Sequence, residues 1–308
     1  RHTNPTKEKT MKFRSRATAA LVLAGVLLVG HIPAAEARSG HGGQEEAQGI
    51  RLVKLLYKDV FTSHDLVKAG DYIRDDYIQH TPTVPQGLEG FRQFYGGFFF
   101  PTFPDMTAKL DIISAHNNLV TSMSTWAGHH GPSGKYVVLR TANLYRIQDG
   151  KLAEHWEAVD FAPLKEFGID PPRNDQPSTP IDLTGSRRQK ANMRLALNFI
   201  DDIFTHRRLN RSARYVGRNI VQHDPKITSG LAGFEKCVGD AFAYVPDATY
   251  RLRHVIAADN RVTIFWTWTG HVAATGAAIR IEQADSYRVS HGKLVDHWDV
   301  VDTTFPTA

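Results

Sequence analysis

Apolar and polar positions follow two different periods along the chain, and the same order of periods occurs twice. Apolar residues recur at helical spacing in residues 50–62 and again in 187–205. A second short helix leads to a Gln-His motif, and a third helix begins near Gly87 or Gly230. Strand-like segments then follow at 109–115, 119–128, 136–147 and 151–159, with copies in the second half. Helices followed by hairpin-connected strands predict an α+β fold in which a curved, mostly antiparallel sheet wraps around N-terminal helices.

The two halves of the chain are copies of each other. Residues 77–82, which contain Gln79-His80, recur as 220–225. Residues 105–160 match residues 247–302 without a gap, with 22 identities in 56 pairs. A period this long indicates two whole domains, because solenoid repeats have about 20–50 residues. A Pro-rich polar segment, residues 169–186, is typical of a linker and places domain 1 at 50–168 and domain 2 at 187–308.

Residues 11–37 have the pattern of a secretory signal peptide. A basic stretch at 11–16 precedes 14 apolar residues at 17–30, and Ala35-Glu36-Ala37 is a small-x-small cleavage site. The apolar run is shorter than the about 20 residues of a transmembrane helix, although an uncleaved anchor is the alternative. We expect a secreted or periplasmic protein with no stable membrane insertion after cleavage.

The net charge of +5 is carried by residues 1–38, which include this leader, since residues 39–308 contain 30 basic and 30 acidic residues. Nucleic-acid binding needs a basic surface, so we predict no nucleic-acid partner. The single cysteine, Cys237, excludes an intrachain disulfide and a multi-cysteine metal site. It aligns with Phe94 in the other copy, which favours a buried apolar thiol.

The order of motifs resembles the SnoaL-like polyketide cyclases of the nuclear-transport-factor-2-like superfamily. The resemblance rests on Gln-His, then Gly-x-x-Gly-Phe, then Tyr-Arg-x-x-x-Gly-Lys-Leu-x-x-His-Trp, and covers most of both halves. It implies two tandem cone-shaped domains, each with a pocket at the open end of a bent sheet. It also implies that the two copies form an intramolecular pseudo-dimer, or that the protein forms a homo-oligomer.

The turn at Asp149-Gly150 decides which side chains share a sheet face. With a three-residue turn, Thr141 opposes Glu157 and Asn143 opposes His155, whereas a two-residue turn places Trp156 beside Asn143. The resemblance selects the first register. The resulting face of domain 1 comprises Thr141, Asn143, Tyr145, His155, Glu157 and Val159, and that of domain 2 comprises Gln283, Asp285, Tyr287, His297, Asp299 and Val301.

The resemblance further implies that Asp299 and Glu157 are the catalytic acid/base residues. Gln283 matches the family's pocket glutamine, Asp285 replaces its histidine, and Thr141 with Asn143 depart at both positions, so domain 2 is closer to a working site. The alternative for both carboxylates is a solvated surface. A carboxylate in an apolar pocket has a raised pKa and removes a proton from a carbon flanked by carbonyls without a cofactor.

Histidines supply further candidate ligand-binding residues. They are His80, His129 and His155 in domain 1 and His223, His271 and His297 in domain 2. With Glu157 or Asp299 they form an alternative metal set, but no spacing matches a metal motif, and we predict no metal. His80 and His223 precede Thr-Pro and Asp-Pro, so hydrogen bonding to the local backbone is the alternative to a pocket role.

Two function classes follow from these residues. The first is an exported, cofactor-independent enzyme that performs aldol cyclisation or isomerisation on a small apolar carbonyl compound. The second is a noncatalytic protein that binds such a compound in two pockets. A third interpretation makes domain 1 a structural partner of domain 2.

Overall fold

The computed structural model describes residues 38–170 and 176–302. The predicted signal peptide, residues 11–37, and five residues of the predicted linker lie outside the described residues. No helix within the described ranges is long and apolar enough to cross a membrane.

Domain 1 begins with helices and ends with four antiparallel strands. Its helices are α1 (Arg38–Leu56), continued by a π-helical segment (Tyr57–Thr62), then α2 (Ala69–Tyr72), α3 (Gly87–Phe94), a second π-helical segment (Tyr95–Phe99) and α4 (Phe100–Thr102). Its strands are β1 (Ile73–Gln79), β2 (Thr107–His116), β3 (Leu119–His129), β4 (Tyr136–Gln148) and β5 (Lys151–Val159), and a 3₁₀ helix (Ala162–Phe167) follows.

Domain 2 repeats this order. Its helical segments are α5 (Arg187–Phe199), a π-helical segment (Ile200–Thr205), a 3₁₀ helix (Leu209–Arg214) and α6 (Leu231–Tyr244). Its strands are β6 (Val216–Gln222), β7 (Thr249–Ala257), β8 (Arg261–His271), β9 (Ala278–Ser290) and β10 (Lys293–Val301). A capping box starts α5: the Ser186 hydroxyl accepts a hydrogen bond from the Gln189 backbone N–H, and the Gln189 side chain accepts one from the Ser186 backbone N–H.

Each domain contains one five-stranded sheet, in the orders β1-β5-β4-β3-β2 and β6-β10-β9-β8-β7. All neighbours are antiparallel except β1 with β5 and β6 with β10, which are parallel. The predicted α+β class with a mostly antiparallel sheet in each of two tandem domains is confirmed. The strand β1 was not predicted, since we expected only a short helix before the Gln-His motif.

The hairpin between β4 and β5 differs from the expected three-residue turn. Asp149 and Gly150 form a two-residue turn, both with positive φ (52° and 74°), and Gln148 pairs with Lys151. A bulge at Ala153 then shifts the register, so that Asn143 opposes Glu157 and Tyr145 opposes His155. The expected partners were therefore wrong by two residues. The expected face was right, because a shift of two residues leaves every side chain on its face.

Each domain has its own core, and a third apolar cluster joins the two sheets. Ile112, Leu144 and Trp156 of domain 1 are buried against Phe265 and Val300 of domain 2. The hydroxyls of Thr121 and Thr263, which are equivalent residues of the two repeats, lie 3.4 Å apart in this contact. Equivalent residues meet each other where a twofold axis relates two copies, so the outer sheet faces pack with approximate twofold symmetry.

Candidate functional site

Each domain encloses a cavity between its helices and the inner face of its sheet. The cavity of domain 1 has a volume of about 160 Å³ and is lined mainly by aromatic side chains such as Phe91, Tyr95 and Trp126. The cavity of domain 2 has a volume of about 190 Å³, with Phe204, Tyr250 and Trp266 in its wall. Apolar walls with a few polar groups at one end are typical of small-molecule sites.

In domain 1, the polar end of the cavity is a network of uncharged hydrogen bonds around His155. Its two ring nitrogens lie 3.1 Å from Gln79 Oε1 and 2.9 Å from Asn143 Oδ1. The Asn143 amide donates to the hydroxyls of Tyr57 and Thr141 at 3.2 and 3.0 Å. Burial lowers the pKa of His155 to about 3, so the imidazole is neutral at physiological pH and has a single N–H to donate.

Glu157 is the carboxyl group of this cavity. Its Oε1 accepts a hydrogen bond of 2.5 Å from the Thr81 hydroxyl. Burial raises the pKa of Glu157, and the hydrogen bond from Thr81 opposes that rise. The ring of Tyr145 stacks on His155 with centroids 4.7 Å apart, which fixes the plane of the imidazole beside Glu157.

In domain 2, the equivalent network contains two carboxyl groups and a histidine that is hydrogen-bonded to one of them. His297 Nε2 lies 2.8 Å from Asp285 Oδ1, and His297 Nδ1 lies 2.6 Å from Gln222 Oε1. Burial alone would lower the pKa of His297, but the hydrogen bond and the negative charge of Asp285 outweigh it and raise the pKa above 6.5.

Asp299 lies opposite Asp285 on the neighbouring strand and lines the same cavity. Burial raises the pKa of Asp299 to about 6; His297 opposes this rise, and the negative charge of Asp285 adds to it. A carboxyl group with this pKa exchanges protons near neutral pH, as general acid/base catalysis requires.

Gln283 holds the carboxylate of Asp285 in place. Its Nε2 donates to both oxygens of Asp285 at 2.9 and 3.1 Å, while its Oε1 accepts from Trp268 Nε1 at 3.1 Å. Asp285 is 1 % exposed, and these bonds satisfy oxygens that would be costly to bury unpaired.

Asp285, His297 and Asp299 are also the residues within the described ranges that could hold a metal ion. One ligand atom from each lies within 4.8 Å of the other two. A metal would have to displace the proton that His297 shares with Asp285, because the two are hydrogen-bonded in the structure.

The structure places eight of the predicted site residues in the two cavities, four in each domain, and four histidines elsewhere. Thr141, Asn143, His155 and Glu157 line the domain 1 cavity, as do Gln283, Asp285, His297 and Asp299 the domain 2 cavity, so all eight sheet-face residues are cavity residues. His80 and His223 instead bind Glu154 and Asp296 and stack on Trp156 and Trp298. His129 and His271 are exposed and bind Asp105 and Asp247.

Sequence reasoning missed the glutamine of the Gln-His motif. Gln79 and Gln222 line the two cavities and bind the buried histidines, while the adjacent His80 and His223 do not line them. The signal was present in the sequence, because adjacent residues of a strand point to opposite faces and the motif recurs in both domains. It required recognition that β1 and β6 are strands.

Two buried N–H groups in the wall of the domain 2 cavity have no hydrogen-bond partner among the described residues. They are Gln222 Nε2 and Trp266 Nε1. Cys237 lines the same cavity, and burial raises the pKa of its thiol to about 11, so it is an apolar wall group rather than a thiolate nucleophile.

A bent sheet that encloses an apolar cavity with a carboxyl group at its polar end defines a class of small α+β ligand-binding domains. The sequence profile of the SnoaL-like polyketide cyclases matches residues 51–166 and 194–305. The chain therefore belongs to the SnoaL-like polyketide cyclase family, of which it contains two tandem domains. Proteins of this family bind small molecules.

Several solved structures are similar to this chain. IdmH, a candidate polyketide cyclase from Streptomyces antibioticus, is 27% identical over 40% of this chain and 99% of its own, with a TM-score of 0.36. TsrD from Streptomyces laurentii is 20% identical over 39% of this chain and 93% of its own, also with a TM-score of 0.36. A candidate SnoaL-like polyketide cyclase from Jannaschia is 18% identical over 41% and 95%, with a TM-score of 0.36. No curated protein matches this sequence.

Proposed function

We propose that domain 2 is a cofactor-independent acid/base enzyme of the cyclase or isomerase type, acting on a small apolar carbonyl compound. The observation that carries this proposal is the position of Asp299 at the polar end of a mainly apolar cavity, where burial raises its pKa to about 6. The carboxylate is basic enough to take a proton from a carbon next to a carbonyl, and its acid form is strong enough to return that proton.

The reaction balances with the residues of this cavity. Asp299 removes the C–H proton and leaves an enolate. In an aldol cyclisation the enolate carbon attacks a second carbonyl carbon, and the resulting alkoxide takes the proton back from Asp299. In an isomerisation the proton returns to a different carbon of the same enolate.

Stabilisation of the enolate oxygen is the other requirement of this chemistry. Gln222 and Trp266 line the cavity, and each has a buried N–H without a partner among the described residues; His297 lies beside Asp299, and Asp285 raises the pKa of its imidazole and so favours the charged form. Preorganised donors and charge in a water-poor cavity are the largest source of enolate stabilisation in enzymes of this kind.

For domain 1 we propose ligand binding rather than catalysis. His155 is neutral, with a pKa of about 3, and the Glu157 side chain is held by Thr81. The cavity therefore lacks the histidine–carboxylate pair that accompanies Asp299 in domain 2. Its aromatic lining fits a flat, apolar molecule.

The enzymatic proposal is tested by exchange of α-protons for deuterium in heavy water, followed by proton NMR with para-methoxyacetophenone as the probe. We expect the protein to accelerate exchange, and Asp299→Asn to reduce the acceleration by about a hundredfold or more. Glu157→Gln, the equivalent change in domain 1, is the matched control and should leave most of it. Undiminished exchange in Asp299→Asn would refute the role of Asp299.

The location and the natural ligand belong to the same proposal. We propose that residues 11–37 direct export and are then removed, which N-terminal sequencing of protein recovered outside the cytoplasm tests. Native mass spectrometry of that protein identifies any copurified molecule, and a charged or purely polar ligand in either cavity would contradict an apolar carbonyl substrate.

A further inference from the structure

A polar cleft of about 340 Å³ lies between the two domains, next to Asp299. Domain 1 contributes Asp111, Met123, Ser124, Thr125 and Arg140, and domain 2 contributes His223, Asp224, Trp298, Asp299 and Val300. Asp299 lines both this cleft and the apolar cavity of domain 2, so the two spaces meet at this residue.

The approximate twofold symmetry of the molecule creates a second, equivalent cleft, and the linker fills this second cleft. The second cleft lies beside Glu157, with Arg253, Phe265 and Glu282 across from it, and has a volume of only about 10 Å³. The linker residue Gln176 is buried in it and donates from Nε2 to the backbone carbonyl of Glu157 at 3.1 Å. No described residue occupies the cleft beside Asp299 in the way that Gln176 occupies the second cleft.

The polar side chains of the two clefts also differ in the hydrogen bonds that they form. In the filled cleft, Thr267 accepts a hydrogen bond from Arg253 at 3.0 Å and donates one to Glu282 at 2.8 Å. In the open cleft, Thr125 donates to Asp111 at 2.6 Å, whereas the guanidinium of Arg140 forms no hydrogen bond or ion pair within residues 38–170 and 176–302. Arg140 is half-buried, and its guanidinium N–H groups have no acceptor among the described residues.

The charges of the open cleft select the kind of group that it accepts. Arg140 offers hydrogen-bond donors, and the carboxylate of Asp224 offers an acceptor, while the two oxygens of Asp111 are bound by Thr125 and Lys109. An anionic group would be repelled by these carboxylates and by Asp299, while a neutral group with several hydroxyls both donates and accepts. Sugars and other polyols have this chemistry.

We propose that this cleft binds the neutral, hydroxyl-bearing end of the ligand whose carbonyl-bearing apolar part occupies the domain 2 cavity, with Arg140 donating to one of its oxygens. The proposal rests on the proposed function of domain 2, and it makes Arg140 of domain 1 a specificity-determining residue for the site of domain 2. The two domains then form one binding site that neither contains alone.

The test uses two ethers of the same aromatic ketone: para-methoxyacetophenone and the para-acetylphenyl glucoside. Both carry the ketone, and only the second carries a neutral polyol. Binding is followed by methyl NMR of the full chain. Methyl groups of Ile227 and Val238 report on the domain 2 cavity, and those of Met123 and Val300 report on the cleft.

We expect both compounds to shift the cavity signals, only the glucoside to shift Met123 and Val300, and the glucoside to bind about tenfold more tightly. Arg140→Met should weaken the glucoside about tenfold and the methyl ether less than about twofold, which is the loss of one hydrogen bond from a charged donor. Arg140→Lys keeps the charge and one donor and should fall between. Arg51→Met removes an exposed arginine of domain 1 and should change neither affinity.

The outcomes separate this inference from the function on which it rests. Equal binding of both ethers at the cavity signals, or a glucoside affinity that Arg140→Met leaves unchanged, overturns the cleft site and leaves the proposed function standing. Unshifted cavity signals with both compounds overturn the proposed function, and the cleft site with it. Unchanged affinity of Arg140→Met for the methyl ether shows that the variant is folded.

Discussion

Domains 1 and 2 have the same fold, but the pKa of the buried histidine shifts in opposite directions in their cavities. Asn143 of domain 1 stands where domain 2 has Asp285, and each lies beside a buried histidine with a glutamine on its other side. The pKa of His155 is lowered to about 3, whereas that of His297 is raised above 6.5. Both histidines are buried, so the difference comes from the neighbouring carboxylate. One amide-to-carboxylate substitution separates a histidine whose pKa is lowered by burial from one whose pKa is raised.

The sharpest way to break this comparison is to exchange the two residues. In Asp285→Asn, desolvation of His297 is no longer opposed, and its pKa should fall below 6.5 by several units towards that of His155. In Asn143→Asp, the pKa of His155 should rise from about 3. Nitrogen–proton NMR titration of the imidazoles measures both. If His297 keeps its raised pKa in Asp285→Asn, the carboxylate does not control the charge of this site.

The second effect concerns stability and pH. The pKa of Asp299 is about 6 in the folded protein against an ordinary value of 3.8, so between these pH values the folded state binds more protons than the unfolded state. Stability contributed by this group is present below about pH 4 and is lost as the pH rises through 6. Asp299→Asn has no carboxyl group to ionise and does not lose this stability. The difference in unfolding free energy between Asp299→Asn and wild type should therefore rise by about 3 kcal/mol between pH 4 and pH 7.

Chemical denaturation of wild type and Asp299→Asn across this pH range measures the difference. Asp75→Asn, an exposed position on β1, is the control and should give a difference that does not vary in this way. A pH-independent difference for Asp299→Asn would mean that the carboxyl group is not desolvated. Active sites commonly hold catalytic groups in surroundings that destabilise the folded state, so removal of such a group is expected to increase stability.

The smallest effect is expected at two histidines that occupy equivalent positions in the two domains. The side chains of His129 and His271 are 51 and 61 % exposed and pair with Asp105 and Asp247 on the surface. Alanine at either position should change the unfolding free energy by less than about 1 kcal/mol and leave binding of the ketone probe unchanged. A tenfold weaker binding in either variant would restore the role that the sequence suggested for them.

Strand periodicity predicted the composition of the site better than motif membership did. The faces that carry Glu157 and Asp299 follow from alternation along β4, β5, β9 and β10, and this alternation survives an error of two residues in register. The Gln-His motif suggested its histidines, yet the glutamines line the cavities. The motif lies at the end of β1 in domain 1 and of β6 in domain 2. Among the described residues, β1 pairs with β5 and β6 with β10, each more than 70 residues away along the chain. No local hairpin signal therefore shows which face of either strand points inward.

The sequence by itself determined the duplication, the α+β order within each repeat, the hairpins and the identity of the residues on each inner face. These depend on local periodicity and on comparison of the chain with itself. The tertiary structure decided the protonation of His155, His297 and Asp299, because a pKa depends on burial and on charges brought together from different strands. It also decided that Gln176 fills one interdomain cleft while the other stays open beside Arg140, because that asymmetry depends on the path of one linker between two nearly equivalent domains.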